Sequence, residues 1–550
     1  MYKYDDQDQQ LLDERVAQFR DQTNRFLNGT LADDAYRTLR LMNGVYIQKQ
    51  APMLRVAVPY GLFSSVQLRK VAQLAQQYDK GYVHFTTRQN IQFNWPKLED
   101  IPNIEESLAS VQMHAIQTSG NCIRNTTSDH FAGIAPDEIE DPRPYCEIIR
   151  RWSILHPEFA YLPRKFKIAV SGATNDRAAT QLHDIGLYLK KNAKGETGFE
   201  VLVGGGLGRT PIIGKTIKPF LSQYDLLSYL EAILRVYNQY GRRDNMYKAR
   251  IKILVKSMGV DVFGQKVEAE WEHIKDSELK LDDQQIELAK AHFPLPAYIT
   301  EHDSASFMSA MEAHSDFANW IEHNTDEHKN KNYKAVTVSL KAPSAPPGDI
   351  TTEQMNFVAD LADEFSFGLL RSTHRQNLIL SDVAKDQLHP LWLKLKEHNL
   401  ATANIGTLTD SICCPGLEFC SLANASTIPL SEELNKRFDD LDYLYDLGPI
   451  NLNISGCMNA CGHQDVGHIG ILGVDKKGVE WYQITIGGSS SNDAYLGDRL
   501  GRAVPRDQII NSIEKIIQVY VSARTEEESF LETYRRIGIT PFKEKVYANN

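Results

Sequence analysis

An internal repeat is the feature of this sequence that most constrains its fold. When the sequence is shifted by 287 positions, Gly61 meets Gly348, and the segment SVQLRKVAQLA at 65–75 faces TEQMNFVADLA at 352–362. Both segments place apolar residues at helical spacing, so each predicts an amphipathic helix. The triplet Arg-Gln-Asn recurs in the same register, at 88–90 and at 375–377. The sequence therefore predicts a chain built from two related units.

Each predicted helix lies between segments that are typical of β-strands. MLRVAVP at 53–59 and AVTVSL at 335–340 precede the helices, and the strand-like stretches 83–95 and 370–382 follow them. The fold class that these patterns favour is α+β, with each unit forming a small mixed sandwich followed by a longer mixed segment. We interpret PSAPPG at 343–348 as a rigid turn inside the repeat register, and about 270–332 as a helical, charged connector.

Composition excludes several classes of protein. The 550 residues include 60 Lys and Arg against 71 Asp and Glu, a net charge of −11, which argues against nucleic acid as a partner. The N-terminus has no signal-like apolar core, and no run of about 18 apolar residues predicts a membrane span. We therefore expect a cytoplasmic protein with no membrane partner. The seven cysteines are an odd number, so structural disulfides are not expected.

Four cysteines form two short pairs near the C-terminus. Cys414 and Cys420 have five residues between them, and Cys457 and Cys461 have three. Four thiolates can hold one iron–sulfur cubane, and they can equally hold a structural zinc ion. The spacing alone does not separate these two possibilities. Buried free thiols fit less well, because the glycines around the second pair allow the backbone to approach a bulky group.

Three motifs resemble those of the siroheme-containing nitrite and sulfite reductases. They are CPGLEFC at 414–420, NISGCMNACGH at 453–463 and YLPRKFK at 161–167, and the duplicated half-units are also typical of that family. The resemblance implies that the four cysteines hold a [4Fe–4S] cluster and that Cys461 is shared between the cluster and the siroheme iron. Cys413 lies outside the pattern, although it is a conceivable substitute for Cys414.

The resemblance also implies a domain organisation with pseudo-twofold symmetry. We expect an N-terminal extension with the first ferredoxin-like half-unit at 1–115 and a first siroheme-binding core domain with the connector at 116–330. A second half-unit at 331–405 and a second core domain with the cluster cysteines at 406–550 complete the chain.

Cations that would surround an anionic substrate follow from the same resemblance: Arg55, Arg124, Lys165 and Lys167. Arginine offers a planar set of donors for oxyanions, and lysine offers a compact charge that can also relay protons. Taken singly, each could be a solvated surface charge. At the fixed offset of the repeat, Arg55 corresponds to Ala342, so the second copy lacks this charge.

Siroheme carries many carboxylates and needs further donors in its pocket wall. The candidates for these contacts are Arg88, Gln92, Asn94, Arg164, Gly204, Gly205, Gly206, Arg375 and Asn459. Arg88, Gln92 and Asn94 alternate, which predicts one polar face of a strand, although a solvent-facing strand is an alternative. Arg375 has a second interpretation, as a stabiliser of the interface between the two units.

The predicted activity is the six-electron assimilatory reduction of sulfite to sulfide, with nitrite reduction to ammonia as the nearest alternative. Lysine at both 165 and 167 favours sulfite, since plant-type nitrite enzymes of this family usually have asparagine at the second position. No flavin or nicotinamide module is recognisable, so a separate ferredoxin or NADPH-dependent flavoprotein subunit should supply electrons. A dissimilatory sulfite reductase subunit and a zinc-stabilised scaffold protein are the remaining alternatives.

Overall fold

The computed structural model describes residues 1–300, 304–343 and 345–548. Ser344, part of the predicted turn at 343–348, lies outside the described residues. The helices are α1 (Asp6–Leu27), α2 (Asp33–Met42), α3 (Ser65–Tyr78), α4 (Ile101–Ala109), α5 (Arg143–Ser153), α6 (Leu226–Tyr240), α7 (Ile251–Met258), α8 (Val260–Ile274), α9 (Asp283–Ala291), α10 (Ser304–Ala313), α11 (Ser315–Asn324), α12 (Thr352–Phe365), α13 (Leu388–Glu397), α14 (Gly416–Phe419), α15 (Ile428–Arg437), α16 (Leu441–Leu447), α17 (Ile509–Ala523), α18 (Phe530–Ile537) and α19 (Thr540–Tyr547).

The strands occur in groups between these helices along the chain. They are β1 (Val45–Ile47), β2 (Pro52–Val56), β3 (Leu62–Ser64), β4 (Tyr82–Phe85), β5 (Ile91–Phe93), β6 (Thr127–Ser128), β7 (Ile168–Ser171), β8 (Ile185–Lys191), β9 (Thr197–Val203), β10 (Lys215–Ser222), β11 (Thr325–Glu327), β12 (Tyr333–Val338), β13 (Asp349–Thr351), β14 (Leu369–Ser372), β15 (Leu378–Ala384), β16 (Ile412–Cys413), β17 (Leu452–Ser455), β18 (Ile469–Lys476), β19 (Val479–Ile486), β20 (Asp498–Arg499) and β21 (Val504–Pro505). The mixture confirms the α+β class.

The predicted repeat is present as two half-units. Helices α3 and α12 begin and end at residues separated by 287 positions, and each starts with a capping box, at Ser64 and at Thr351. In a capping box, the N-cap side chain and the side chain three residues later satisfy free backbone N–H groups, which fixes where the helix starts. The amphipathic period and the cap therefore specify the same helix twice.

The two half-units exchange one short strand each. The first sheet has the order β1-β2-β5-β4-β13, and the equivalent sheet of the second half-unit has the order β11-β12-β15-β14-β3. Strand β13 comes from the second copy of the repeat and pairs with β4, while β3 comes from the first copy and pairs with β14. Helices α3 and α12 are joined by ion pairs from Arg69 to Asp360 and Asp363, and one apolar core spans both half-units.

The fixed repeat register fails in the strand that precedes each helix. Val56 pairs with Ile91 in the first half-unit, and Val338 pairs with Leu378 in the second. Because Ile91 and Leu378 are equivalent, the offset in this strand is 282, and the second copy contains five extra residues before its helix. The prediction that the register runs unbroken through 343–348 is therefore wrong, although turn hydrogen bonds are present there, from Ala345 N to Ala342 O and from Asp349 N to Pro346 O. By the same strand pairing, Arg55 corresponds to Thr337 and not to Ala342, although the counterpart is still uncharged.

The repeated Arg-Gln-Asn triplets form turns, so the continuous strand predicted through 88–94 is also wrong. Gln89 and Gln376 both have a positive φ, of 59° and 63°, and within 88–94 the strand covers only Ile91–Phe93. Each glutamine links different parts of the chain. Gln89 Nε2 donates to Ser372 O in the other half-unit, and its Oε1 accepts from Ser128 N in the first core sheet. The triplet therefore recurs because it holds the half-units and cores together.

Two equivalent core sheets follow the half-units. The first has the order β10-β9-β8-β7-β6, and the second has the order β16-β17-β18-β19-β20, with β21 also paired to β19. In each sheet two parallel pairs are followed by a long antiparallel hairpin. The connector is helical as predicted, since α8 to α11 occupy most of it. Among the described residues, no helix is long and apolar enough to cross a membrane. We propose the four predicted segments as the domain limits.

Candidate active site

The four predicted cluster cysteines lie on two neighbouring segments of the second core domain. Cys414 directly follows β16, and its Sγ accepts a hydrogen bond from Gly456 N at 3.1 Å, next to Cys457. Cys461 lies close enough to the other three thiols for its charge to raise the pKa of each of them. The two short pairs, far apart in sequence, are therefore brought together.

Burial is the main cause that raises the pKa values of three of these thiols, those of Cys414, Cys420 and Cys457. Burial raises the pKa of Cys414, and the neighbouring Cys461 raises it further. Among the described residues, no three His, Cys, Asp or Glu side chains are placed to hold a single metal ion. A four-iron cubane is larger than a single zinc ion, so its thiolates lie farther apart than zinc ligands do. Cys413 Sγ instead faces Cys414 O, so Cys414 remains the better ligand.

Arg55 and Arg124 lie beside the thiols on elements of the first half. Arg55 is on β2, and its Nη2 donates to Gln92 Oε1 at 3.0 Å on the paired strand β5. Arg124 donates from Nη1 to Thr118 O at 2.8 Å, and Arg55 Nη1 reaches the same oxygen at 3.4 Å. Arg55 Nε is buried without a partner among the described residues. The shared carbonyl holds the two guanidiniums side by side with donors to spare.

Lys165 and Lys167 lie just before β7 and extend the same cationic cluster. Burial lowers the pKa of Lys165, and Arg124 lowers it further. Burial also lowers the pKa of Lys167 well below its ordinary value, followed by Arg88 and Lys165. Within the described part of the chain, neither Nζ forms a hydrogen bond or an ion pair. Both lysines are half-buried, and the carboxylate near Lys167 is Asp184, whose charge raises the pKa of that lysine. Because half-buried cations that outnumber their counter-charges are unfavourable, the pocket is suited to receive an anion.

Tyr46 is a residue of this pocket that the sequence analysis missed. Its ring lies under Arg55, with 5.5 Å from the guanidinium carbon to the ring centroid. Burial alone would raise the pKa of Tyr46, but Arg124, Arg55 and Lys165 lower it below its ordinary value. Tyr46 is on β1, whose pairing with β2 places it near Arg55. In the sequence, Tyr46 is one residue of a short strand beside Val45, and this pattern does not indicate a role in the pocket.

The candidates for siroheme contacts divide into two groups. Arg88 donates from Nη1 to His183 Nε2 and from Nη2 to Asn125 O, both at 2.7 Å. Burial lowers the pKa of Arg88, and the nearby positive charge of Arg124 lowers it further. Gln92 donates to Asn94 Oδ1 at 2.7 Å, so both amides lie behind Arg55. Arg164 is half-buried, and its pKa is lowered by burial and then by Arg124. These four residues therefore lie with the anion pocket.

The glycine loop at 204–206 contributes through neighbours that were not predicted. Gly204 and Gly206 have positive φ, and a side chain at Gly205 would clash with Gln181 O, so the loop requires glycine. Lys252 Nζ donates to Gly206 O and Leu207 O, which secures the loop carbonyls.

Arg250 lies beside this loop and adds another cation to the cluster. Its Nη2 pairs with Asp184 Oδ1 at 2.7 Å. Its positive charge also lowers the pKa values of Lys165 and Lys167, although burial and the nearer cations lower them more. Asn459 is exposed beside Cys457, near Gly208 of the same loop.

Arg375 is held by an internal ion pair instead. Its Nε lies 2.9 Å from Asp410 Oδ2, and Lys341 Nζ lies 2.6 Å from Asp410 Oδ1. In the first half, the equivalent Arg88 donates to the backbone oxygen of Asn125, just as Arg375 donates to that of Asp410. Asn125 at this position adds no charge beside Arg88, whereas the equivalent Asp410 forms an ion pair with Arg375. This favours the interface interpretation of Arg375 over a siroheme contact.

The first core domain also has a counterpart of the cluster position. The paired strands make Asp129 equivalent to Cys414 and Arg177 equivalent to Cys461. Asp129 Oδ2 and Arg177 Nη2 form an ion pair at 2.8 Å in this place. The duplicated frame thus provides thiols on one side and a salt bridge on the other.

Family comparisons match both parts of the repeat. The model described as the nitrite and sulphite reductase 4Fe-4S domain matches residues 119–275 and 406–550, which together exceed half of the chain. The chain belongs to this family. A second model, the nitrite/sulfite reductase ferredoxin-like half domain, matches residues 46–111 and 327–398. The chain is therefore an oxidoreductase with the duplicated half-units that the resemblance implied.

Individual relatives include enzymes named for each of two anions. The chain is 28% identical to "Sulfite reductase [ferredoxin] 1" of Mycolicibacterium paratuberculosis, over 87% of this chain and 81% of that protein. It is 27% identical to the "Assimilatory ferredoxin-dependent nitrite reductase" of Haloferax mediterranei, over 87% of this chain and 80% of that protein. The solved structure of Mycobacterium tuberculosis NirA matches with a TM-score of 0.77 at 25% identity, covering 94% of this chain and 92% of that one.

The residues present fit the family's cofactors, a [4Fe–4S] cluster coupled to siroheme. The four thiols that the fold brings together are suitable ligands for the cluster. The cations around Lys165 and Lys167 outnumber the carboxylate near them, Asp184, so a tetrapyrrole with many carboxylates would supply the missing negative charge. When bound, these groups supply redox chemistry, while the protein supplies orientation and charge.

We expect Tyr46→Phe to lower kcat/KM for the anion by about tenfold, because a hydrogen bond to a charged partner contributes about 1.5–3 kcal/mol. The ring would remain under Arg55, and only the hydroxyl beside the cations would be lost. Steady-state kinetics with a reduced viologen dye would measure the effect. Tyr443→Phe, on α16 of the second core domain, serves as the matched control. An unchanged kcat/KM for the Tyr46 variant would contradict this role.

Proposed function

We propose that the chain is an assimilatory sulfite reductase that takes electrons from a ferredoxin. The observation that carries this proposal is the pair Lys165 and Lys167 in a pocket that already contains Arg55 and Arg124. Sulfite is a small anion with three oxygens and up to two charges, whereas nitrite has two oxygens and one charge. The extra lysine charge therefore favours sulfite.

The roles of the pocket residues follow from their chemistry. We propose that Arg55 and Arg124 bind the anion oxygens, because their guanidiniums are held side by side and retain free donors. Lys165 and Lys167 would neutralise the remaining charge and donate protons to the oxygens that leave as water. Their lowered pKa values suit this task, since a proton is released more readily from such a lysine. Six electrons and six protons convert hydrogensulfite to hydrosulfide and three waters.

The cofactor assignments extend this proposal to the remaining residues. Cys414, Cys420, Cys457 and Cys461 would hold the cluster, and Cys461 would also contact the siroheme iron. Arg88, Arg164 and Arg250 would face the siroheme carboxylates, with Gly204, Gly205, Gly206 and Asn459 forming the adjacent wall. Relatives named as ferredoxin enzymes support a ferredoxin as the electron donor.

Substrate choice is tested by changing the second lysine. We expect Lys167→Asn to lower kcat/KM for sulfite by about tenfold, and to affect nitrite less, because the variant removes one positive charge from the pocket. The measurement is anaerobic turnover of each anion by the holoenzyme with a reduced viologen dye.

The control for this experiment is Lys194→Asn, in the hairpin that joins β8 and β9. Lys167 and Lys194 lie at opposite ends of these strands, so the control removes the same charge away from the pocket. Equal losses for sulfite and nitrite in the Lys167 variant would remove the basis for preferring sulfite. A wild-type enzyme that reduces nitrite with the higher kcat/KM would favour the nitrite reductase alternative.

A further inference from the structure

The strand that leads to the first cluster cysteine, β16, lies at the edge of the second core sheet. It pairs with β17, and Cys414 N donates to Ile454 O of that strand at 3.2 Å. The backbone of Cys413 instead meets the side chain of Gln376, whose Oε1 accepts from Cys413 N at 2.9 Å and whose Nε2 donates to Cys413 O at 3.0 Å. One amide therefore satisfies backbone groups that an edge strand leaves unpaired, one residue before Cys414.

Two further side chains fix the orientation of this amide. His84 Nδ1 lies 2.7 Å from Asp349 Oδ1, and His84 Nε2 lies 3.0 Å from Gln376 Nε2. Since the carboxylate accepts and the amide nitrogen donates, Nδ1 carries the imidazole proton and Nε2 is the acceptor. The amide nitrogen is thereby directed to the histidine, and the amide oxygen to Cys413 N. We call Asp349, His84 and Gln376 the Gln376 triad.

The equivalent glutamine of the first copy has a different neighbour. Gln89 makes the same type of backbone contact, because its Oε1 accepts from Ser128 N, the counterpart of Cys413 N. The counterpart of His84 is Arg371, whose Nη1 donates to the backbone oxygens at positions 130 and 132. Among the described residues, Arg371 makes no hydrogen bond to Gln89. The imidazole and the carboxylate therefore support the glutamine on the cysteine side of the duplicated frame.

The triad joins the exchanged strand β13 to the cluster segment. Asp349 is the first residue of β13 and pairs with His84 on β4. His84, Gln376 and Cys413 are buried, and the Asp349 side chain is mostly buried. Hydrogen bonds in a buried network polarise one another, so the negative charge of Asp349 acts through the imidazole and the amide on the backbone next to Cys414. A carboxylate of the second copy thus reaches the cluster position through a histidine of the first copy.

We propose that the Gln376 triad positions the cluster, because it holds Cys414 in the geometry of a cluster ligand and lowers the reduction potential of the cluster. This inference rests on the proposed assignment of Cys414 as a ligand. Groups that orient a metal ligand change metal affinity by about 10–100-fold when they are lost. A negative charge near a cluster disfavours the addition of an electron, so it lowers the potential. All three are positioning residues, which act through Cys413 and Cys414.

The first test is Gln376→Met, which keeps a side chain of similar volume and removes both bonds to Cys413. We expect an iron chelator to remove the cluster from the variant holoenzyme about tenfold faster than from the wild type. Visible absorption measures this release. We also expect faster backbone hydrogen exchange in segment 411–415, which reports the hold on the strand without any measurement of activity.

Gln89→Met is the matched control, because it removes the equivalent contact with Ser128, beside Asp129 in the first core domain. It should lower stability to denaturant as Gln376→Met does. Cluster release and hydrogen exchange in segment 411–415 should nevertheless stay at wild-type rates. If the two variants released the cluster equally fast, the role of Gln376 would be that of a general structural contact, and the proposal would be overturned.

The second test is Asp349→Asn, which removes the charge with little change of shape, since the amide oxygen can still accept from His84. We expect the equilibrium constant for one-electron reduction of the cluster to rise about tenfold, which is a positive shift of about 59 mV. A redox titration of the holoenzyme followed by electron paramagnetic resonance measures it. Iron and acid-labile sulfide per chain should equal those of the wild type. The control Asp21→Asn removes an exposed charge on α1 and should keep the wild-type potential.

An unchanged or lowered potential in Asp349→Asn would overturn the proposed effect of the triad on the cluster. The outcome for the proposed function is separate. A wild-type protein that holds no [4Fe–4S] cluster would contradict the ligand assignment itself. A wild-type holoenzyme that holds the cluster and does not reduce sulfite would contradict the proposed function, and the predicted differences between Gln376→Met and Gln89→Met would still be expected.

Discussion

Cys461→Ser should abolish sulfite turnover, with a loss of more than about a hundredfold, the upper range for residues that only support a metal ligand. Cys461 would serve both cofactors, and a serine hydroxyl is a poor substitute for a soft thiolate. The variant should contain less iron and acid-labile sulfide per chain, and its visible absorption should lose the features of a coupled cluster and haem. Metal analysis and spectroscopy therefore report the loss independently of activity.

Cys413→Ser is the matched control for that change. Cys413 is buried next to Cys414, and its Sγ faces Cys414 O at 3.3 Å, a contact that a serine hydroxyl can also make. The control should keep its iron content and its turnover. If Cys413→Ser lost the cluster and Cys461→Ser kept it, the assignment of the four ligands would be wrong.

Asp410→Asn should lower the free energy of unfolding by about 3–5 kcal/mol, the range for removing one partner of a buried ion pair. Lys341 and Asp410 are both fully buried. Burial would raise the pKa of Asp410, but Arg375 and Lys341 lower it to about 2, so the carboxylate is charged at neutral pH. The asparagine variant would leave the Lys341 charge buried without a counter-charge. Denaturant unfolding of the wild type and the variant would measure the difference.

A second change should restore most of the lost stability. Lys341→Met removes the buried charge and keeps a straight chain of similar volume, so the double variant Asp410→Asn, Lys341→Met should be more stable than Asp410→Asn alone. Arg375 would remain with a half-exposed guanidinium and a backbone partner, as Arg88 does in the first half. A loss below about 1 kcal/mol for the single variant would show that the pair does not carry this role.

Local patterns predicted the elements that depend on neighbouring residues. The helical period and the caps at Ser64 and Thr351 fixed α3 and α12, because both signals lie within a few residues of each helix. The two cysteine pairs were also predictable from the sequence, because the members of each pair lie within a few residues of each other. The resemblance then placed Arg55 and Lys165 with the pocket, where the structure brings them together.

Features that depend on distant partners were not readable in this way. The strand exchange involves short segments that carry no pattern of their own, and the five-residue difference before α12 becomes visible only from strand pairing. Arg88 and Arg375 belong to identical triplets, yet Arg375 forms an ion pair with an aspartate 35 residues away, whereas Arg88 donates to the backbone oxygen of Asn125. Arg250 and Tyr46 join the pocket from segments far from its motifs. Their roles are set by tertiary contacts, which local sequence does not specify.

The exchange of β3 and β13 constrains how such a gene could have arisen. A precursor with one copy of the repeat would lack the strand that completes its own sheet, and two identical subunits could supply it to each other. That ancestor would have been an obligate homodimer with two equal centres, in which every mutation appeared on both sides. Joining the copies into one polypeptide freed them to diverge, so that Cys414 and Cys461 could be kept on one side while Asp129 and Arg177 replaced them on the other.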